Sequence, residues 1–294
     1  MRTALPVDLP LSLGPLACGR WDPTIRADGG AWWRATRTAT GPATVRYAPA
    51  DGGVRVRAWG PGAEAALALA PDLLGARDEL DGFDPGAGLV HELHRRFSGL
   101  RVIRSRAVFQ AIVPAVLEQQ VTGKESRASW RRLVLRYGEP APGPLAGLML
   151  PPAAATLAAL PYHAFHPLGV EMRRANTVRG VAAGAARLEA TAAMPLADAH
   201  RRLRAFPGVG PWTAAVVAGV ALGDGDAVPV GDYHVKHMVS WALAGEPRGT
   251  DERMLELLEP FAGHRGRVVR LIKAAGLAAP RFGPRMPARS YERL

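Results

Sequence analysis

A chain of 294 residues, 48% apolar and 21% charged, is long enough for a well-buried core and too ordinary in composition for a disordered or fibrous protein. Its single cysteine, Cys18, excludes an internal disulfide and cannot supply the four thiolates of an iron–sulfur cluster, and no apolar run reaches the length of a membrane span. The net charge of +11 favours a polyanionic partner, although only three of the 37 basic residues are lysines (Lys124, Lys236, Lys273), a bias that genome composition also produces.

In chain order, residues 1–16 carry one early Arg and interrupting prolines, a poor signal peptide, so a cytoplasmic location is expected. Residues 31–38 read as a strand, and residues 44–47 and 54–59 alternate in polarity around Asp51-Gly52-Gly53, which predicts a hairpin. Residues 64–74 have the spacing of a helix packed on such a sheet, and residues 81–87, rich in glycine and with Pro85, read as a linker. From there the pattern is helical, over residues 108–121, 126–137, 152–160, 172–188 and 196–206, with proline and glycine clusters between. The last residues, with Arg281, Arg285, Arg289 and Arg293, read as a basic tail. The expected fold class is α+β: a small N-terminal antiparallel β-sheet domain with a helix over 1–80, an all-α domain over 88–280, and the tail over 281–294.

The most informative stretch is 203–239. One helix ends at Phe206, the chain turns through Pro207-Gly208-Val209-Gly210, and a second helix begins at Pro211, a residue suited to a first helical position. Free amides at such a helix start bind phosphate oxygens without reading sequence, and Thr213 could add a hydroxyl. An ordinary helix–helix turn has the same appearance. Asp232 follows 22 residues after Gly210 and reads either as a functional carboxylate or as the cap of a helix from Tyr233. Asp232, His234 and His237 do not make a zinc site, because their spacing sends them from one helix face at different angles.

Together, Phe206-Pro-Gly-Val-Gly-Pro-Trp-Thr213 and Val228-Pro-Val-Gly-Asp-Tyr-His-Val-Lys236 resemble the helix-hairpin-helix, Gly/Pro-rich loop and Asp signature of the HhH-GPD DNA glycosylase superfamily, and are most similar to bacterial 3-methyladenine DNA glycosylase II. The resemblance implies that the helical domain is a helix-hairpin-helix glycosylase domain acting as a monomer on double-stranded DNA. It would flip out a damaged base, with alkylated purines foremost, and hydrolyse its N-glycosidic bond. Asp232 would be the catalytic group, since the breaking bond leaves positive charge on the sugar that a fixed carboxylate stabilises. Family members that also nick the strand carry a lysine two residues after the second hairpin glycine; Trp212 stands there, which implies base removal without lyase activity.

The resemblance also implies a base pocket with Trp212 and Tyr233 as aromatic faces, and with Val216 where the subfamily often has a further aromatic. Gly208, Val209, Gly210, Thr213, Gln119, Gln120 and Lys236 would meet DNA, with Gln120, within Glu118-Gln119-Gln120-Val121-Thr122, as the wedge that fills the space left by the base. No cofactor is required; a sodium or potassium ion held by the backbone carbonyls of Arg204, Phe206 and Val209 is implied at the hairpin. Two alternatives stay open: a glycosylase for deaminated, oxidised or bulky lesions, and a non-enzymatic DNA-binding module.

Overall fold

The computed structural model describes residues 6–280; the expected basic tail lies outside them. A short helix α1 (Leu9–Leu13) precedes a four-stranded antiparallel meander, β1 (Ile25–Asp28), β2 (Ala31–Thr38), β3 (Gly41–Ala50) and β4 (Gly53–Trp59), ordered as in the sequence. The predicted hairpin is β3–β4, with Ala50 opposite Gly53 and Gly52 at φ +70, a left-handed conformation that glycine adopts without cost. The helix expected over 64–74 forms as two pieces, α2 (Ala63–Ala68) and α3 (Ala70–Leu73), because Pro71 has no amide hydrogen to carry the helical ladder across.

Both faces of this sheet are covered. One buries Val45, Tyr47 and Val54 against Leu9, Leu13, Leu73, Leu74 and Ile103. The other buries Trp33 and Ala35 against Leu148 and Leu150, with Trp33 stacked on Trp59 at 5.3 Å. Leu150 belongs to a small ladder, β5 (Glu139–Pro140) with β6 (Met149–Leu150), so the region expected to be all-α carries one extended excursion that serves the sheet.

The remaining chain is helical: α4 (Leu89–Arg96), α5 (Val108–Leu117), α6 (Gly123–Tyr137), α7 (Ala154–Ala159), α8 (Tyr162–Phe165), α9 (Met172–Ala183), α10 (Ala185–Glu189), α11 (Leu196–Arg204), α12 (Pro211–Val217), α13 (Val235–Ala244), α14 (Asp251–Leu258) and α15 (Arg265–Ala274). They bury two apolar clusters. The larger gathers α5, α6, α9, α11 and α12 around fully buried leucines such as Leu117, Leu133 and Leu203, each contributing about 1.5–3 kcal/mol. The second gathers α4, α13, α14 and α15 around Val239, Met254, Leu258 and Ile272. Among the described residues no helix is long and apolar enough to cross a membrane.

Two features of the helices differ from their sequence patterns in ways that matter for the site. The helix expected to run to Val121 stops at Leu117, and the helix expected over 172–188 breaks at Gly184, where the Phe206 ring lies so close that a β-carbon would sit 2.4 Å from it. The sheet layer is tied to the helices by a buried ion pair. Asp78 accepts two hydrogen bonds from the Arg267 guanidinium on α15 and a third from the Val102 amide, and the Asp78 and Arg267 side chains are 2% and 3% exposed. Arg267 also covers the Phe83 ring, so the stretch read as a linker is held by contact with α15.

Candidate active site

The helical hairpin forms where expected, between α11 and α12. Phe206 and Val209 are buried and anchor the turn in the larger core, and the Phe206 carbonyl accepts the Val209 amide at 3.0 Å. Gly208 has φ +82, and a β-carbon there would meet the Thr177 hydroxyl at 2.1 Å, so the fold itself demands glycine. Gly210 differs. Its φ is −89 and nothing lies within 4 Å of a β-carbon placed on it, so only an outside partner would benefit from its bareness. Accordingly, Gly208→Ala is expected to lower stability by roughly 2–4 kcal/mol, from strain plus overpacking, whereas Gly210→Ala stays within about 0.5 kcal/mol. Urea unfolding of the two variants checks this; equal losses would remove the distinction.

Asp232 sits just before α13, at the positive end of that helix. Its Oδ1 accepts the amides of His234 (2.8 Å) and Val235 (3.0 Å), so the capping role is real. Its Oδ2 accepts the Trp212 indole N–H at 3.0 Å. The half-buried carboxylate is thus fixed by three donors and keeps a lone pair on Oδ2 for a further partner. Capping and chemistry are compatible here, because the cap uses one oxygen and leaves the other facing the hairpin. The Trp212–Asp232 bond also bridges the two helical cores, since α12 packs in the first and α13 in the second.

A second link joins the hairpin to the 118–122 loop. Gln119 Nε2 donates to the Gly208 carbonyl and to Thr213 Oγ1, both at 2.9 Å. The loop is held at one end by the buried Arg174, whose Nη1 donates to the Leu117 carbonyl at 2.7 Å, and at the other by a capping box between Thr122 and Glu125. At its tip, exposed Gln120 adopts φ +57, a conformation that costs a non-glycine residue on the order of 1 kcal/mol and that clusters at functional sites.

Three of the expected contact residues have partners within the protein. Thr213 is 2% exposed and its hydroxyl accepts from Gln119, so it ties the hairpin to the 118–122 loop. Lys236 pairs with Asp251 at 3.4 Å, and Asp251 also accepts the Gly231 amide, so this lysine braces the loop carrying Asp232. Tyr233 is 66% exposed and packs edge-on to His234 and His237.

A cavity lies deeper, between the sheet and α5. It has a volume of about 90 Å³ and is lined by Asp22, Arg34, Gln110, Glu118, Trp130 and Val216, among others. Val216, one helical turn beyond Trp212, joins it to the Asp232 neighbourhood; Trp212 itself orients the carboxylate and does not line the cavity. Burial holds the Glu118 carboxyl above its ordinary range, and the nearby Asp232 charge adds to this against the pull of Lys273 and Arg127. Burial also lowers the pKa of Arg34. Sequence reasoning left both Arg34 and Glu118 without a role. The available signal for Arg34 was its place on β2, where alternation puts it on the same face as Trp32 and Thr36.

The sequence profile described as HhH-GPD superfamily base excision DNA repair protein matches residues 113–262. Two curated relatives, from two strains of Mycobacterium tuberculosis and each described as a probable bifunctional transcriptional activator/DNA repair enzyme AlkA, are 37% identical over 142 residues, which is 47% of this chain and 28% of theirs. Among solved structures, 3-methyladenine DNA-glycosylase from Archaeoglobus fulgidus matches with a TM-score of 0.75 at 21% identity, covering 93% of this chain and 97% of its own. The Clostridium acetobutylicum 8-oxoguanine glycosylase/lyase matches with a TM-score of 0.68 at 15% identity, covering 91% and 92%. At these identities the structural likeness is one of fold.

Proposed function

The chain belongs to the HhH-GPD superfamily of base excision DNA repair proteins, and from that premise we propose that it is a monofunctional DNA glycosylase releasing alkylated purines from double-stranded DNA. The observation that carries this reading is Asp232, its carboxylate held by the His234 and Val235 amides and the Trp212 indole beside a cavity reached through Val216. A carboxylate fixed in advance needs no reorganisation when the C1′–N bond stretches and the sugar becomes cationic. The bonding pair leaves with the base, water adds to C1′, and the proton it loses passes to Asp232 or to solvent. The base would occupy the cavity while the sugar stays at its mouth, which explains why Asp232 does not line the cavity.

Gln120, exposed and strained at the loop tip, is the candidate wedge, and the bare Gly210 is the candidate point of closest phosphate approach. A sodium or potassium ion would use the carbonyls of Arg204, Phe206 and Val209; the Phe206 oxygen, with one lone pair given to the Val209 amide, has a second for it. The protein would act as a monomer in the cytoplasm. An indole stands where a strand-nicking member has its amine, which supports hydrolysis alone.

The test is incubation with a labelled duplex containing one 7-methylguanine or one 3-methyladenine analogue, followed or not by alkali. Strand breaks are expected only after alkali. Breaks without alkali that vanish in Lys273→Ala would instead make this a lyase using the lysine whose charge reaches Glu118. A duplex that is bound with no base released would favour the binding-module alternative.

A further inference from the structure

The cavity holds three charged side chains, and only one of them has its hydrogen bonds met within the protein. Asp22 accepts the Cys18 amide (2.7 Å), the Thr24 amide (2.8 Å) and the Thr24 hydroxyl (2.7 Å), so it is spent on the local turn. Gln110, the neutral amide on the same wall, is also satisfied, taking the Thr36 hydroxyl and donating to the Arg37 carbonyl. Arg34 is 9% exposed and lines the cavity; the charge of Glu189, whose carboxylate accepts the Val108 and Phe109 amides, favours its cationic form, yet among the described residues its guanidinium makes no hydrogen bond or close ion pair. Glu118, at the end of α5, lines the same cavity and likewise receives no hydrogen bond among the described residues. A buried guanidinium left without an acceptor is costly, and such a group facing a cavity is matched when a ligand fills it.

Resting on the glycosylase reading, we propose that Arg34 and Glu118 read the edge of the flipped base and select a 6-oxopurine, the guanine type, over a 6-aminopurine. A guanidinium only donates, so it suits the O6 carbonyl; an ionised carboxylate only accepts, so it suits the neighbouring ring N–H and exocyclic amine. An adenine-type edge presents the reverse order, an amino donor beside a ring acceptor, and leaves both protein groups unpaired in a place with little water. A free anion is a poorer occupant, because Glu118 would repel what Arg34 attracts. Arg34 also serves the departing base: as the C1′–N bond breaks, electron density moves into the ring and onto O6, where the guanidinium meets it.

DNA treated with a methylating agent carries 7-methylguanine and 3-methyladenine together, and release of both, measured in one reaction and divided by spontaneous loss, gives the selectivity directly. The unaltered protein is expected to accelerate 7-methylguanine release more. Arg34→Met is expected to lower that release roughly 10- to 100-fold while 3-methyladenine changes less than about threefold. Arg34→Lys, which keeps a shorter cation, is expected to fall between, and thermal melting verifies that both variants fold. If Arg34→Met lowers both bases equally, Arg34 is structural and the assignment is overturned while the glycosylase reading stands. If the unaltered protein releases neither base, the glycosylase reading itself fails and this assignment goes with it.

Discussion

Asp232→Asn is expected to slow base release by about 10³-fold under single-turnover conditions while changing affinity for the lesion duplex by no more than about threefold. Asparagine keeps an oxygen for the His234 and Val235 amides, so the start of α13 stays capped and the loop keeps its place. What it loses is the negative charge, and its amide nitrogen now faces the Trp212 N–H, donor against donor. A purely structural role for Asp232 would show as a lower melting temperature with release largely intact. A loss of release with normal melting assigns the chemistry to the charge. If release falls less than tenfold, the working carboxylate is elsewhere, and Glu118, close enough to feel Asp232, is the next residue to replace.

The largest expected stability loss is far from that chemistry. Asp78→Ala should cost about 3–5 kcal/mol, lowering the melting temperature by roughly 5–15 °C, because it strands the Arg267 guanidinium, 3% exposed, without its counter-ion and leaves the Val102 amide without an acceptor. Arg101 does not compensate: it is another cation, 4.0 Å from the same carboxylate. The double variant Asp78→Leu/Arg267→Met is expected to regain only the part of the loss that comes from the stranded Arg267, since the Val102 amide and the nearby Arg101 still lack the carboxylate. Urea unfolding of the single and double variants decides the matter. A single-variant loss under about 1 kcal/mol would mean that water reaches Arg267 in solution and that the pair is not the clamp between sheet layer and α15.

Much of the fold was legible because it rests on short-range rules. The β3–β4 hairpin follows from an Asp-Gly turn between alternating runs, and the α11–α12 hairpin from two glycines and a proline at a helix start. Errors came where one residue interrupts a sound pattern. Pro71 divides the α2–α3 segment, and α5 ends at Leu117 although its apolar spacing continues to Val121. The reason for that ending is distant in sequence: Arg174, from α9, takes the Leu117 carbonyl.

The sequence by itself determined the hairpin, the position of Asp232 after it and the absence of lysine at position 212, because each is a matter of residue identity and local spacing. Only the tertiary structure decided what those side chains do. Trp212 became the donor that orients Asp232, Thr213 was claimed by Gln119, and Lys236 by Asp251. Arg34 and Glu118, 84 positions apart, became neighbours across one cavity. A polar side chain takes whichever partner packing brings within about 3 Å, and local periodicity carries no record of which distant element that will be.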